Sequence, residues 1–334
     1  MFTVMVRKPI LSVRNLHTYF YTYSGVVKAL DGVNLDIYKN EIVGLVGETG
    51  CGKSLTALSI IQIVDRPGKI VDGEIRFKGE NLLEKSKEDI RRIRGKDIAI
   101  VFQDPTTYLN PVYTVGNQIG EVIELHQKEE FSDKENLKSA TKKKVENVLR
   151  LVGMPDPQRI MRQYPHELST GMRQRAMIAM MISCRPDLLI ADEATTALDV
   201  TIQAQILELL KNLANKLDTS VLLITHNLGV IAETCERVYV MYAGNIVETA
   251  KTNDLFDNPL HPYTSGLLKA VPSSHQKTDR LETIPGSVPN LLTPPSGCRF
   301  HPRCPYSMQI CKEKKPPMVA VDTDHIICCH LVQS

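Results

Sequence analysis

The sequence predicts an α/β fold, and three observations carry the prediction. Short apolar strands alternate with helical patterns between residues 42 and 225. One buried strand runs straight into a glycine-rich loop and then a helix, and the alternation stops near Asn253, where prolines take over. The 334 residues suffice for one large or two ordinary domains, and 43% hydrophobic content fills a real core, which excludes disorder throughout. Lys and Arg number 40 against 38 Asp and Glu, a net charge of +2, so nothing points to nucleic acid as a partner. The longest apolar runs, residues 176–182 and 221–224, fall well short of the roughly 18–20 residues a bilayer requires. The start carries Arg7 and Lys8 without a sustained apolar region, so neither a membrane span nor an export signal is expected.

Residues 11–13, 33–37 and 42–46 read as strands, the middle one following a turn at Asp31-Gly32. Residues 55–64 form a helix packed on the sheet. Residues 132–152 form a second helix, with Ser132 and Glu135 as a capping box and Leu137, Val145, Val148, Leu149 and Val152 as its apolar face. Pro155 and Pro157 stop it, and another helix starts near Ser169 and runs through residues 176–182, where its methionines belong to the core. A buried strand at 188–191, a helix at 201–217, a strand at 221–225 and a hairpin joining 238–242 to 246–248 across Ala243-Gly244 complete the pattern. Beyond it lie eleven of the 19 prolines, so a boundary is placed at 253/254, with a loop-rich appendage after it.

Gly47-Glu48-Thr49-Gly50-Cys51-Gly52-Lys53-Ser54 fits the phosphate-loop pattern and sits between a buried strand and a helix, where the mechanism requires it. Its glycines let backbone N–H groups turn inward around phosphates, Lys53 reaches the β and γ phosphates of a nucleotide, and Ser54 ligates Mg²⁺. Residues 188–193 form an apolar strand ending in two carboxylates. Asp192 is placed to hold Mg²⁺ through water, and Glu193 to orient or deprotonate an attacking water. His226 ends the next strand at the same edge of the sheet, in reach of a γ-phosphate.

Three more segments complete a set: Phe102-Gln103-Asp104-Pro105, the run Leu168-Ser169-Thr170-Gly171-Met172-Arg173-Gln174-Arg175, and Thr196-Ala197-Leu198-Asp199. With the phosphate loop, the Asp-Glu strand and the histidine, in this order, they resemble the nucleotide-binding subunit of an ABC transporter. The resemblance implies a P-loop ABC-type nucleotide-binding domain over residues 1–253, with a RecA-like core, an antiparallel β subdomain and a helical subdomain at about 104–175. It implies that Gln103 touches Mg²⁺ or the water and couples the site to a membrane subunit. It also implies that Ser169 and Gly171 cap the γ-phosphate of an opposite subunit, so that each ATP needs two subunits, identical or homologous. Asp199 matches the D-loop and His226 the switch histidine. An aromatic from the early strands stacks on adenine, with Phe20 the first choice and Tyr19 and Tyr23 the alternatives. Two positions depart from the family pattern: Thr170 stands where glycine is usual, and Ala194 stands where proline follows the catalytic glutamate.

The tail narrows the resemblance. His261-Pro262-Tyr263-Thr264, Ile284-Pro285-Gly286 and Gly297-Cys298-Arg299-Phe300 through Arg303-Cys304-Pro305 are similar to the tail of dipeptide and oligopeptide importer ATPases, as is Leu109-Asn110-Pro111. Of eight cysteines, Cys51, Cys184 and Cys235 are scattered, while Cys298, Cys304, Cys311, Cys328 and Cys329 crowd the end. In a chain without an export signal, metal is a better reading of that cluster than disulfides. The spacing suits zinc poorly, matches no common ferredoxin run, and does not name the metal. The resemblance favours a [4Fe–4S] cluster on Cys298, Cys304, Cys311 and Cys329, with zinc the alternative, acting as a staple for residues 254–334.

These readings imply an ATPase that energises import of dipeptides or oligopeptides. Its partners are a second ATPase subunit, transmembrane permease subunits and, indirectly, an extracytoplasmic substrate-binding protein; its place is peripheral, on the cytoplasmic face of the membrane. Nickel and oligosaccharide importers share part of the tail and are the alternatives, and a non-transport ABC ATPase is a further one.

Overall fold

The computed structural model describes residues 8–127, 134–195, 198–270 and 283–333. Contacts divide the chain into two compact units, Met1–Glu84 with Leu223–Ser334, and Lys85–Leu222. Residues 254–333, expected as an appendage, therefore lie in the same unit as the first strands.

The first unit opens with β1 (Pro9–Thr22), β2 (Gly25–Tyr38), β3 (Ile42–Val46), α1 (Lys53–Ile60), β4 (Gly68–Phe77) and β5 (Glu80–Asn81). An antiparallel sheet has the order β2-β1-β4-β5. Asp31 and Gly32 do not turn the chain between strands as expected; they lie inside the 14-residue β2. Gly32 takes φ 84° beside a register shift, at which Leu16 faces Val33 while His17 faces Asp31, so the strand kinks and continues. β3 is buried along its whole length, as its unbroken apolar run predicts.

The second unit contains α2 (Lys87–Ile93), β6 (Ile98–Val101), α3 (Pro105–Tyr108), α4 (Val115–Gln127), α5 (Lys134–Leu151), α6 (Pro157–Ile160), α7 (Thr170–Ile182), β7 (Leu188–Asp192), α8 (Val200–Leu217) and most of β8 (Ser220–Ile224). β6 and β7 pair in parallel, Ile98 opposite Leu188 through Val101 opposite Ala191. Val145, Leu149 and Val152 are buried as the apolar face of α5 predicts, whereas the Ser132–Glu135 capping box lies outside the described residues. α7 is apolar on most sides and is a core helix, with Met177 and Met180 buried among Ala176, Ile178, Ala179 and Ile182. No helix among the described residues is long and apolar enough to cross a membrane.

The chain returns to the first unit through α9 (Leu228–Thr234), β9 (Arg237–Tyr242), β10 (Asn245–Lys251), α10 (Thr252–Asp257), α11 (Pro262–Lys269), α12 (Gln309–Glu313), β11 (Val319–Asp322) and β12 (His325–Ile327). Residues 283–308 carry no helix or strand, and two short strands follow them. The tail's prolines precede β11 and stay out of both final strands, and β12 pairs with β10, giving the run β11-β12-β10-β9-β3 within this unit.

Candidate active site

In the first unit, the site grows out of β3. The chain leaves the sheet at Val46, turns through residues 47–52 and enters α1 at Lys53. Two glycines are demanded by space and conformation. A Cβ at Gly47 would stand 2.1 Å from the Met241 carbonyl oxygen, and one at Gly52, at φ 110°, would stand 2.7 Å from Leu30. Lys53 is buried, and its Nζ donates to the Gly47 and Glu48 carbonyls at 2.9 and 3.1 Å, so its ammonium is held over the loop. Gly50 also takes a positive φ, Cys51 is fully buried with its thiol pKa pushed up by that burial, and Thr49 and Ser54 lie along the same turn. Ser54, on the first turn of α1, is exposed.

The Glu48 N–H donates to the Tyr263 hydroxyl at 2.9 Å, and the Glu48 carboxylate takes both terminal nitrogens of Arg303, at 2.7 and 3.0 Å. These two tail residues lie in motifs the sequence reading used only for kinship. Their contacts with the loop carry no signal in the sequence, because more than 200 residues separate the partners. The Thr225 N–H donates to the Leu45 carbonyl at 3.3 Å. His226 therefore leaves β8 at the edge where β3 gives way to the phosphate loop, and it is exposed there. On β1, Phe20 faces Val27 and Gly68, with its ring edge packed against Gly68. Tyr19 spends its hydroxyl on Asp31 at 3.2 Å, and Tyr23 is fully exposed.

In the second unit, β7 delivers Asp192, buried at the strand end, and then Glu193, half-buried with φ 47°. Gln103 follows β6, the parallel neighbour of β7, and is exposed. Ser169 caps α7, its Oγ accepting from the Met172 N–H at 3.3 Å. Thr170 is exposed, with its hydroxyl accepting from Arg173, while a Cβ on Gly171 would meet Ile202 at 3.1 Å. Gln174 reaches from α7 to the Ala194 carbonyl at 2.6 Å, gripping the turn just past Glu193. Sequence reasoning missed this link. Asp199 caps α8 by accepting from the Ile202 N–H at 2.9 Å, and Thr196 and Ala197 lie outside the described residues. The donors read for Mg²⁺, a serine hydroxyl, an amide oxygen and a carboxylate, are hard oxygen ligands of the kind that ion takes.

The tail cysteines converge without forming a coordination shell. Burial raises the Cys298 thiol to about 11, and Cys311, Cys329 and Cys304 add to the rise. Cys304 and Cys329 are raised first by burial and then by their cysteine neighbours. Cys328 is also pushed to about 11 by burial, with Lys315 opposing the rise and Cys329 adding to it. Among the described residues, no group of three or more His, Cys, Asp or Glu is arranged to hold a metal ion.

Known proteins similar to this chain identify its family. The family described as ABC transporter matches residues 30–196, and the C-terminal region of oligopeptide/dipeptide transporters matches residues 247–311. A probable peptide ABC transporter ATP-binding protein of Sinorhizobium fredii is 51% identical over 96% of this chain and 94% of its own. A dipeptide transport ATP-binding protein of Bacillus subtilis is 49% identical, again over 96% and 94%. Among solved structures, cbiO1 of Clostridium perfringens, part of the ABC transporter complex cbiONQ, aligns with TM-score 0.63 and 26% identity over 75% of this chain and 91% of that one. With the glycine loop, the Asp-Glu strand end and the capped helix in place, the chain belongs to the ABC transporter ATP-binding subunits of the oligopeptide/dipeptide family.

Proposed function

We propose that the chain hydrolyses ATP to energise uptake of dipeptides or oligopeptides through a membrane ABC transporter. The observation that carries this reading is the phosphate loop held between β3 and α1, in a chain similar almost end to end to peptide transport ATP-binding proteins. Lys53 and the loop N–H groups take the β and γ phosphates, and the helix start adds positive potential. Ser54, Asp192 and Gln103 would hold Mg²⁺, which supplies charge neutralisation at the phosphates. Glu193 takes the proton of the attacking water, His226 contacts the γ-phosphate, and Phe20 stacks on adenine. Ser169, Gly171 and Asp199 serve the ATP of a second ATPase subunit, a role supported by the exposed hydroxyl and carboxylate at two helix starts. Gln103 and the segment to Pro111 face the permease, and the subunit sits peripherally on the cytoplasmic face of the membrane, energising uptake from an extracytoplasmic binding protein. Retention by purified permease subunits tests that placement, and failure to be retained removes its basis.

For the tail, we propose a [4Fe–4S] cluster on Cys298, Cys304, Cys311 and Cys329, with zinc as the other candidate. The Cys298 N–H donates to the Cys311 carbonyl at 2.8 Å, and Cys311 and Cys329 are buried, which supports the choice of ligands. Thiols raised by burial must lose protons to bind metal, so uptake is expected to weaken as pH falls. Iron, acid-labile sulfide and zinc analysis of anaerobically purified protein decides between the candidates; a metal-free, folded chain contradicts both.

A further inference from the structure

Glu48 is the one acidic residue in the phosphate loop, and it lies where a tetraanionic nucleotide must be received. Its side chain is only partly exposed, at 26%. An unpaired carboxylate there opposes phosphate binding. Arg303 meets it with a bidentate fork, the side chain itself just 6% exposed. The fork is fixed from behind: Arg303 Nε donates to the Pro285 carbonyl at 2.8 Å, and Nη2 to the Ile284 carbonyl at 3.2 Å. Tyr263 adds a second hold on the same loop residue, accepting the Glu48 N–H, while its ring packs with Tyr242 and Phe300.

We propose that the C-terminal tail is a positioning element of the ATP site: Arg303 neutralises and orients Glu48, and Tyr263 fixes the loop backbone at the same residue. This accounts for the Ile284-Pro285-Gly286, His261-Pro262-Tyr263 and Arg303-Cys304-Pro305 segments together, since each contributes one part of the clamp. It also places Cys304 one peptide bond from the clamping arginine. The proposal rests on reading residues 47–54 as the ATP phosphate loop.

The test is ATP affinity of the full chain, measured with a fluorescent ATP analogue, alongside circular dichroism to confirm folding. Arg303→Gln is expected to weaken binding about tenfold, because a charge-assisted bidentate pair is lost and a carboxylate is left facing phosphate. Adding Glu48→Gln to Arg303→Gln is expected to restore most of that affinity, a rescue that a purely structural arginine does not predict. Tyr263→Phe keeps the ring and removes only the hydroxyl, and about threefold weaker binding is expected from the lost hydrogen bond. Parent-like affinity in Arg303→Gln, failure of the double variant to recover, or parent-like affinity in Tyr263→Phe overturns the clamp. A parent chain that binds no ATP analogue overturns the phosphate-loop reading itself, and the clamp with it.

Discussion

Glu193 is a non-glycine residue at φ 47°, a left-handed conformation that costs of order 1–3 kcal/mol and is over-represented at working sites. The turn that holds it is tied to α7 by Gln174, so the residue proposed as the base is braced by the helix that opens with Ser169. Replacement of Glu193 by Gln keeps shape and removes the base; ATP hydrolysis should fall by about 10²–10⁴-fold while ATP still binds. Single-turnover kinetics check this, and a parent rate of hydrolysis removes Glu193 from the mechanism. Gly52→Ala should destroy nucleotide binding, because the new Cβ collides with Leu30 in a backbone region that alanine avoids. Equilibrium binding of ATP measures it directly. The places of the proposed site residues in the fold were legible in the sequence, because they follow strands or open helices, as Glu193 follows β7 and Ser169 opens α7. Gln174, Tyr263 and Arg303 were not legible as parts of the site, because their roles depend on contacts across 20 to 255 residues.

At the scale of elements, unbroken apolar runs were read accurately. β3 and β7 are buried throughout, and the capping serine and aspartate mark the starts of α7 and α8. The turn expected at Asp31-Gly32 was misread because a positive-φ glycine serves a bulge as readily as a turn, and only pairing with β1 tells them apart. β11 and β12 were hidden by the prolines before them and by their shortness, at four and three residues. α11 shows how the tail is seated. His261 caps it by accepting the Tyr263 N–H at 3.0 Å, and burial lowers the imidazole pKa to about 3, so the ring is neutral. In the unfolded chain the same ring takes a proton near its ordinary pKa of about 6.5. Between these values the unfolded state binds more protons, so this group makes the protein lose stability as pH falls from about 6.5 towards 3. Thermal unfolding across that window should show a shallower pH dependence in His261→Gln than in the parent; equal slopes contradict the assignment.

At the scale of the whole molecule, the structural relative cbiO1 leaves a quarter of this chain uncovered, aligning with 75% of it. Residues 254–270 and 283–333 belong to the first unit, together with the opening strands. Glu248 on β10 is fully buried, and its carboxylate accepts the Leu260 and His261 N–H groups at 2.7 and 3.0 Å and meets His325 at 2.8 Å. All three partners lie in the tail. Truncation after Asn253 strips that carboxylate of three hydrogen-bond partners and should destabilise the remainder by at least about 1–3 kcal/mol, the usual cost of leaving a buried acceptor unsatisfied. Denaturant unfolding of the truncated chain checks this, and an unchanged midpoint would show the tail to be dispensable for the fold. ATP hydrolysis at this site is proposed to drive peptide uptake. The most direct test is uptake of labelled dipeptide, nickel and oligosaccharide by source cells carrying either the parent chain or Glu193→Gln. Selective loss of dipeptide uptake is the predicted result; dipeptide uptake that persists while nickel or oligosaccharide uptake falls, or no loss of any, contradicts it.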